Sequence, residues 1–114
     1  MKLKLPIIAA LATFAIALPV KAEDTRGNKE EILGAYAGLN CNIEKGFFTR
    51  EVAVQAMQEY IKEYPNLINA YIWVTISPKA QAAVKILAGY VNSDCSNFTI
   101  SENLLDETIE PYLD

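Results

Sequence analysis

The first 22 residues limit what the rest of the chain can fold into, because they have the pattern of a cleavable export signal. Two lysines precede an uncharged apolar run from Leu5 to Val20, and compact residues flank Lys21 just before the expected cleavage point. The run has 16 residues, whereas a membrane-spanning helix needs about 20. We therefore predict a bacterial-type signal peptide, residues 1–22, and a mature protein, residues 23–114, in the periplasm or outside the cell.

The mature chain has a length suited to one small domain with a single core. The signal contains three of the ten basic residues and none of the fourteen acidic ones, so the mature net charge is −7 instead of −4. This balance argues against nucleic acid or an anionic membrane surface as a partner, because binding phosphates requires clustered Lys and Arg. A protein with a basic surface or a cation is a better match, and the acidity can equally serve only to keep an exported domain soluble.

Two cysteines, Cys41 and Cys95, fall in the mature chain. In an exported protein an even number of cysteines indicates pairing, and two cysteines allow one connectivity. The predicted disulfide would stabilise the fold by about 4 kcal/mol on the chain-entropy model. A redox or metal-binding pair is not supported, since the chain has no C-x-x-C motif and no histidine.

Periodicity and capping residues predict helices over most of the mature domain. After a polar, flexible leader (residues 23–28), apolar residues recur at helical spacing from Lys29 to Lys45. The adjacent face of this helix contains only small residues, namely Gly34, Ala37, Gly38 and Cys41. Such a face predicts close packing against another helix.

Three further helices have recognisable ends. Thr49 is the expected N-cap of a helix to about Tyr64, and Ser77-Pro78 is a typical start for one reaching about Ser93. The acidic C-terminal segment, residues 101–114, predicts a short, loosely docked helix that ends before Pro111 and has Thr99 and Glu102 as a capping box.

The segment Leu67 to Ile76 is apolar throughout, and periodicity alone does not distinguish a helix from a strand in so short a run. Its branched and aromatic residues favour a strand, but the chain offers no partner strand. We therefore expect a short buried helix. The fold class predicted is all-α: an irregular bundle of four to five helices closed by one disulfide.

Catalysis has little support in the sequence. Without histidine, the usual Ser-His and Cys-His nucleophile pairs and most zinc sites are excluded. The carboxylate pairs Glu30-Glu31 and Asp106-Glu107 are adjacent in sequence and are interpreted as solvated helix faces. We predict a protein that is not an enzyme and has neither a cofactor nor a metal site.

Two groups of residues are candidates for binding. Aromatic residues could line an apolar pocket between helices or simply fill the core; these are Tyr36, Tyr60, Tyr64, Tyr71 and Trp73. A protein partner could instead contact the loop pair Phe47-Phe48 and the acidic C-terminal residues; these are Glu102, Asp106, Glu107 and Glu110.

In size, helix content and single disulfide, the chain resembles two groups of periplasmic proteins: small acid-stress chaperones and immunity proteins against cell-wall-cutting toxins. The stretch from Tyr60 to Pro65 is similar to a helix end in some immunity-type domains. The resemblance implies an exported helical domain, and no functional residue is carried over from either group.

The leading hypothesis is an exported, non-enzymatic protein that binds another protein. The alternative is a carrier of a small apolar ligand or lipid, which would need an aromatic-lined cavity between helices. The oligomeric state is left open.

Overall fold

The computed structural model of the protein describes residues 25 to 113. Over this range the chain forms five α-helices, which are α1 (Thr25–Glu44), α2 (Arg50–Glu63), α3 (Ile68–Ile76), α4 (Pro78–Ala88) and α5 (Glu102–Ile109). Short 3₁₀ turns at Pro65–Leu67 and Glu110–Tyr112 precede α3 and follow α5. The predicted all-α fold is confirmed for the described part of the chain, whereas the predicted signal peptide lies outside it.

Helix α1 is the centre of the bundle. It packs most extensively against α4 and also contacts α3 and α2. Its buried side includes large residues such as Ile32 and Leu33, which are fully buried, and the small residues Gly34, Ala37 and Gly38. The small residues predicted as a close-packing face are therefore buried, as expected for a helix with neighbours on several sides.

The starts of α2 and α4 follow the predicted capping chemistry. The Thr49 hydroxyl accepts a hydrogen bond from the Val52 backbone N–H at 3.2 Å, and the Ser77 hydroxyl accepts one from the Ala80 N–H at 3.1 Å. Pro78 is the first residue of α4, where its missing N–H costs no helical hydrogen bond. Both helix starts predicted from sequence are confirmed.

Helix α4 ends at Ala88 instead of continuing to Ser93. Beyond it the Tyr90 carbonyl accepts hydrogen bonds from the Thr99 N–H at 2.7 Å and the Thr99 hydroxyl at 3.0 Å, which closes residues 90–99 into a loop. Cys95 lies in this loop with a left-handed backbone (φ 62°), beyond the end of α4. The N–H groups of residues 89–91 bond to carbonyls three residues back, and the Asn92 N–H donates across the loop to the Asn97 carbonyl.

The predicted disulfide is confirmed. The sulfur atoms of Cys41 and Cys95 lie 2.03 Å apart, and the two Cα atoms are separated by 5.8 Å. The bond joins the last turns of α1 to the loop that leads into α5. It therefore fixes the chain just before the acidic C-terminal helix.

The two ends of the described chain are better packed than the sequence predicted. Helix α1 begins at Thr25, within the expected flexible leader, and buried Asn28 exchanges hydrogen bonds with Asn66 at 3.0 and 3.2 Å. Helix α5 ends before Pro111 as predicted, but it buries Leu105 and Ile109 almost completely and is not loosely docked.

The N-cap of α5 is Ser101, whose hydroxyl accepts a hydrogen bond from the Leu104 N–H at 3.3 Å. The expected Thr99–Glu102 box does not form, because the Thr99 hydroxyl is bonded to the Tyr90 carbonyl instead. In the described range no helix is both long enough and apolar enough to cross a membrane.

Candidate protein-contact surface

The outer face of α3 is apolar and exposed. Ile68, Ile72 and Ile76 follow one another at intervals of four residues, so they lie along one side of the helix. Their exposed fractions are 42%, 47% and 73%. We call these three residues the isoleucine face.

The opposite side of α3 makes the contact with the core. Ala70 and Val74 are buried there, together with Leu67 in the preceding turn. The expectation of a helix is correct, but the expectation that the whole segment is buried is wrong on its outer side. The physical reason is the number of neighbours, since α1 and α4 cover only one side of this short helix.

Beside the isoleucine face lies a groove that runs along α1 between α2 on one side and α3 with α4 on the other. It consists of three depressions that all include Asn40, and we call it the Asn40 groove. The depression between α1, α2 and α3 has a volume of ≈ 160 Å³, and the other two have volumes of ≈ 370 and ≈ 410 Å³; all three are open to solvent. The smallest is lined mainly by apolar side chains, among them Tyr36, Leu39, Ile43, Ala53, Met57 and Tyr71.

Two tyrosines line this groove, one of them on the helix that has the isoleucine face. The rings of Tyr36 and Tyr71 are stacked, with centroids 6.4 Å apart and an angle of 11° between their planes. Burial raises the pKa of the Tyr36 hydroxyl, and the neighbouring Tyr71 raises it further, so Tyr36 is neutral. Tyr71 precedes Ile72 on α3, and Val54 of α2, which is 50% exposed, borders the same depression. The groove therefore borders α3 beside the isoleucine face, and none of the three isoleucines lines it.

The polar groups of the groove are few. Asn40 is half-buried, and its side chain makes no hydrogen bond with any residue in the described range, which leaves its amide available to a ligand. Arg50 and Lys85 line the depression at the α2–α4 end, together with Glu44. Among the described residues, the ion pairs involve Arg26 and not these two cations.

Only two of the five aromatic residues proposed for a ligand pocket, Tyr36 and Tyr71, line the Asn40 groove. Tyr60 is buried and its hydroxyl bonds to Glu31, while its ring contacts that of Tyr64 with centroids 5.5 Å apart. The ammonium group of Lys29 lies 4.7 Å from the centre of the Trp73 ring. These three aromatic residues take part in intramolecular packing.

The predicted protein-contact residues are separated in a similar way. Phe47 is 56% exposed, but Phe48 is partly buried against the core, so the pair does not form one patch. Glu102 and Glu107 of α5 are exposed, whereas Glu110, in the 3₁₀ turn after α5, forms an ion pair with Arg26 of α1.

Glu30 and Glu31 are buried, with exposed fractions of 4% and 2%, and the interpretation of this pair as a solvated face is wrong. Burial is the main reason that the pKa of Glu30 is raised to about 7, and the nearby carboxylate of Asp106 raises it further, while Arg26, 3.9 Å away, opposes the shift. A protonated Glu30 can donate a hydrogen bond to Asp106, whose buried Oδ1 has no other partner in the described range. The pair thus links α1 to α5.

The second buried carboxyl, Glu31, accepts a hydrogen bond from the Tyr60 hydroxyl at 2.9 Å. Burial raises its pKa, and the Tyr60 hydrogen bond partly offsets that shift. Neither Glu30 nor Glu31 lines any of the three depressions, and no group of three acidic, histidine or cysteine residues suited to a metal occurs in the described range. Sequence reasoning missed this burial because it depends on packing against α2 and α5.

No protein-family model, curated protein or solved structure matches the chain. The surface geometry is therefore the basis on which a function is proposed.

Proposed function

We propose that the protein is an exported, non-enzymatic binding protein whose isoleucine face and adjoining Asn40 groove contact another protein. The observation that carries the proposal is the exposure of three isoleucines on one side of α3, a helix without any charged residue. Contiguous apolar surface of this kind is typical of interaction sites.

An outward-facing isoleucine adds little to the stability of the isolated domain. Its apolar area is instead free to be buried by a partner, at roughly 25 cal/mol per Å² removed from water. Because the side chains of the isoleucine face are about half exposed, each can contribute about 1 kcal/mol when covered. Three such residues with the neighbouring tyrosines resemble the apolar centre of a protein interface.

The shape of the groove favours a protein over the alternative of a carried small molecule. Ligand pockets enclose most of their ligand and have volumes of about 300 to 1,000 Å³. Here the depression lined mainly by apolar residues is smaller than that, ≈ 160 Å³, and all three depressions are open to solvent. A groove made of three open depressions accommodates the side chains of a partner protein more readily than it encloses a free lipid.

Two features support export as the setting. The N-terminal sequence has the pattern of a signal peptide, and the disulfide between Cys41 and Cys95 is of a kind found mainly in oxidising compartments. We place the mature protein in the periplasm or outside the cell. Mass spectrometry of the exported protein should give a chain that begins at Glu23; an uncleaved chain would contradict this.

The contact surface can be tested by photo-cross-linking in cells that export the full chain. A photoreactive amino acid at position 72 should yield a cross-linked protein partner, whereas the same group at Gln58, an exposed position on α2, should not. With the partner purified, Ile72→Asp should weaken binding at least tenfold, as expected for a central apolar contact.

Glu107→Gln serves as the matched control, since Glu107 is exposed on the acidic helix. Unchanged affinity for this variant is expected if the isoleucine face is the contact surface. Loss of binding in Glu107→Gln with normal binding in Ile72→Asp would overturn the proposal in favour of the acidic helix and a partner with a basic surface.

A further inference from the structure

We infer that the depression between Tyr36, Met57 and Tyr71 receives one bulky apolar side chain of a partner segment, and that Arg50 and Lys85 bind an acidic group on the same segment. This inference rests on the proposed binding function and defines the chemistry of the partner: an amphipathic segment with an apolar anchor residue next to carboxylates.

The size of the depression sets the size of the anchor. Its volume is ≈ 160 Å³, and a cavity of about 150 Å³ holds a benzene ring. One phenyl or branched aliphatic side chain therefore fills it. The lining includes the thioether of Met57, which is flexible enough to pack against anchors of different shapes.

The walls of the depression also suit an aromatic anchor. Tyr36 and Tyr71, already stacked on each other, present ring surface to the space between α1, α2 and α3. A partner ring placed there would add further aromatic contacts, which contribute about 0.5 to 1.5 kcal/mol beyond their buried area.

The charges around the groove are opposite to those of the protein as a whole. The mature chain has a net charge of −7, yet its groove is bordered by Arg50, which lines the anchor depression, and by Lys85, which lines the other two. Neither cation is in an ion pair with another described residue, and Glu44 is the single acidic residue among those that line the three depressions. An acidic segment is attracted to this position, while a basic one is repelled.

The unpaired amide of Asn40 lies where the depressions meet, and it can donate to and accept from the backbone of a segment that passes over it. Arg50 thus borders the anchor depression itself, and Lys85 lines the two depressions that meet it at Asn40. This arrangement matches an apolar residue beside an acidic one.

The inference can be tested without the natural partner by using two small probes with the same ring and opposite charge. 3-Phenylpropionate carries the ring and a carboxylate, and 3-phenylpropylamine carries the ring and an ammonium group. In NMR titrations of the mature, disulfide-bonded protein, the propionate should shift the signals of Tyr36, Met57 and Tyr71 saturably, with a dissociation constant of about 1 mM for so small a ligand. The dissociation constant of the amine should be at least about fivefold higher than that of the propionate.

Variants separate the pocket from the charges. Arg50→Gln with Lys85→Gln should abolish the preference for the carboxylate while the ring still binds. Lys62→Gln with Lys79→Gln removes two exposed cations that do not line the groove, and it should leave the preference unchanged. Ala53→Leu should fill the depression and eliminate binding of both probes; if this variant does not fold, nuclear Overhauser contacts between the probe ring and the Met57 methyl group in the wild type give the same information.

Binding of the propionate elsewhere, no saturable shifts at the three residues, or equal binding of both probes would each overturn the inference. None of these results would affect the cross-link from position 72, so the proposed function would stand. Conversely, if the propionate binds in the groove but position 72 gives no cross-link, the proposed function is contradicted and the inference about the depression still stands.

Discussion

Helices α3 and α5 are similar in length, but their surfaces are the reverse of what their compositions suggest. Helix α3 has no charged residue, and yet it exposes Ile68, Ile72 and Ile76. Helix α5 is acidic, and yet it buries Leu105 and Ile109. The contrast shows that composition determines how much apolar surface a helix has, whereas the arrangement of its neighbours determines how much of it is covered.

The two helices are attached to the bundle by different means. Helix α3 buries Ala70 and Val74 and packs Tyr71 and Trp73 partly against the core, but its start has no side-chain N-cap hydrogen bond. Helix α5 has large buried residues, a hydroxyl N-cap, an ion pair to Arg26 and the buried Glu30–Asp106 contact. Removal of these attachments one at a time should therefore destabilise the fold most on the α5 side.

The largest effect is expected from the disulfide, which fixes the loop that precedes α5. Cys41→Ser with Cys95→Ser should lower the free energy of unfolding by about 4 kcal/mol, because the unfolded chain loses a constraint on a long loop. Urea denaturation of the variant and the oxidised wild type measures the difference. A loss below about 1 kcal/mol would show that packing alone holds α5 in place.

The next largest effect is the difference in stability lost when two isoleucines, one buried and one exposed, are each replaced by alanine. Ile109→Ala should cost about 3 kcal/mol, since this fully buried side chain leaves a cavity. Ile72→Ala, the matched substitution on α3, should cost less than about 1 kcal/mol because half of the side chain is already in water. Equal losses in chemical denaturation would refute the contrast between the two helices.

The carboxyl pair should make stability depend on pH. The pKa of Glu30 is about 7 in the folded protein, whereas in the unfolded chain it is near the ordinary value for glutamate. The protonated carboxyl therefore stabilises the fold in acid. This stabilisation decreases by roughly 2 kcal/mol as the pH rises towards 7. Urea midpoints measured between about pH 5 and pH 7 should fall for the wild type.

Glu30→Gln is the control for this pH effect. Its amide can donate to Asp106 without titrating, so the midpoints should be nearly flat apart from the smaller contribution of Glu31, whose pKa is also raised by burial. The chain has no histidine to obscure the result. A wild type whose stability increases with pH over this range would contradict the assignment.

The smallest effect is expected at the start of α5. Ser101→Ala removes the hydroxyl that caps the Leu104 N–H and should cost about 1 kcal/mol. Ser93→Ala, in the exposed part of the preceding loop, should be nearly neutral. If both variants unfold at the same denaturant concentration as the wild type, the cap does not contribute to the attachment of α5.

Local chemistry made part of the fold predictable. Thr49 and Ser77-Pro78 mark helix starts through their own hydrogen bonds and backbone angles, and two cysteines allow one pairing. The loop around Cys95 was missed because its hydrogen bonds join residues such as Tyr90 and Thr99, whose pairing across the loop no helical or capping pattern indicates.

The candidate site was less predictable. Tyr36 and Tyr71 were identified as candidate pocket residues, but the isoleucine face was not, because in an uncharged helix no polar residues mark the solvent side. The interval of four residues between the isoleucines, opposite the smaller Ala70 and Val74, is the signal that could have revealed it. The burial of Glu30 could not be predicted from the sequence, because its partner Asp106 lies on a helix far away in the chain.

The exposure of the isoleucine face can be measured directly with isoleucine methyl-labelled mature protein and a soluble paramagnetic agent. The methyl groups of Ile68, Ile72 and Ile76 should be relaxed strongly, and those of Ile32 and Ile109, which are fully buried, only weakly. Strong relaxation of Ile109 together with protection of Ile72 would contradict the reversal of the two helices and, with it, the contact surface proposed for this protein.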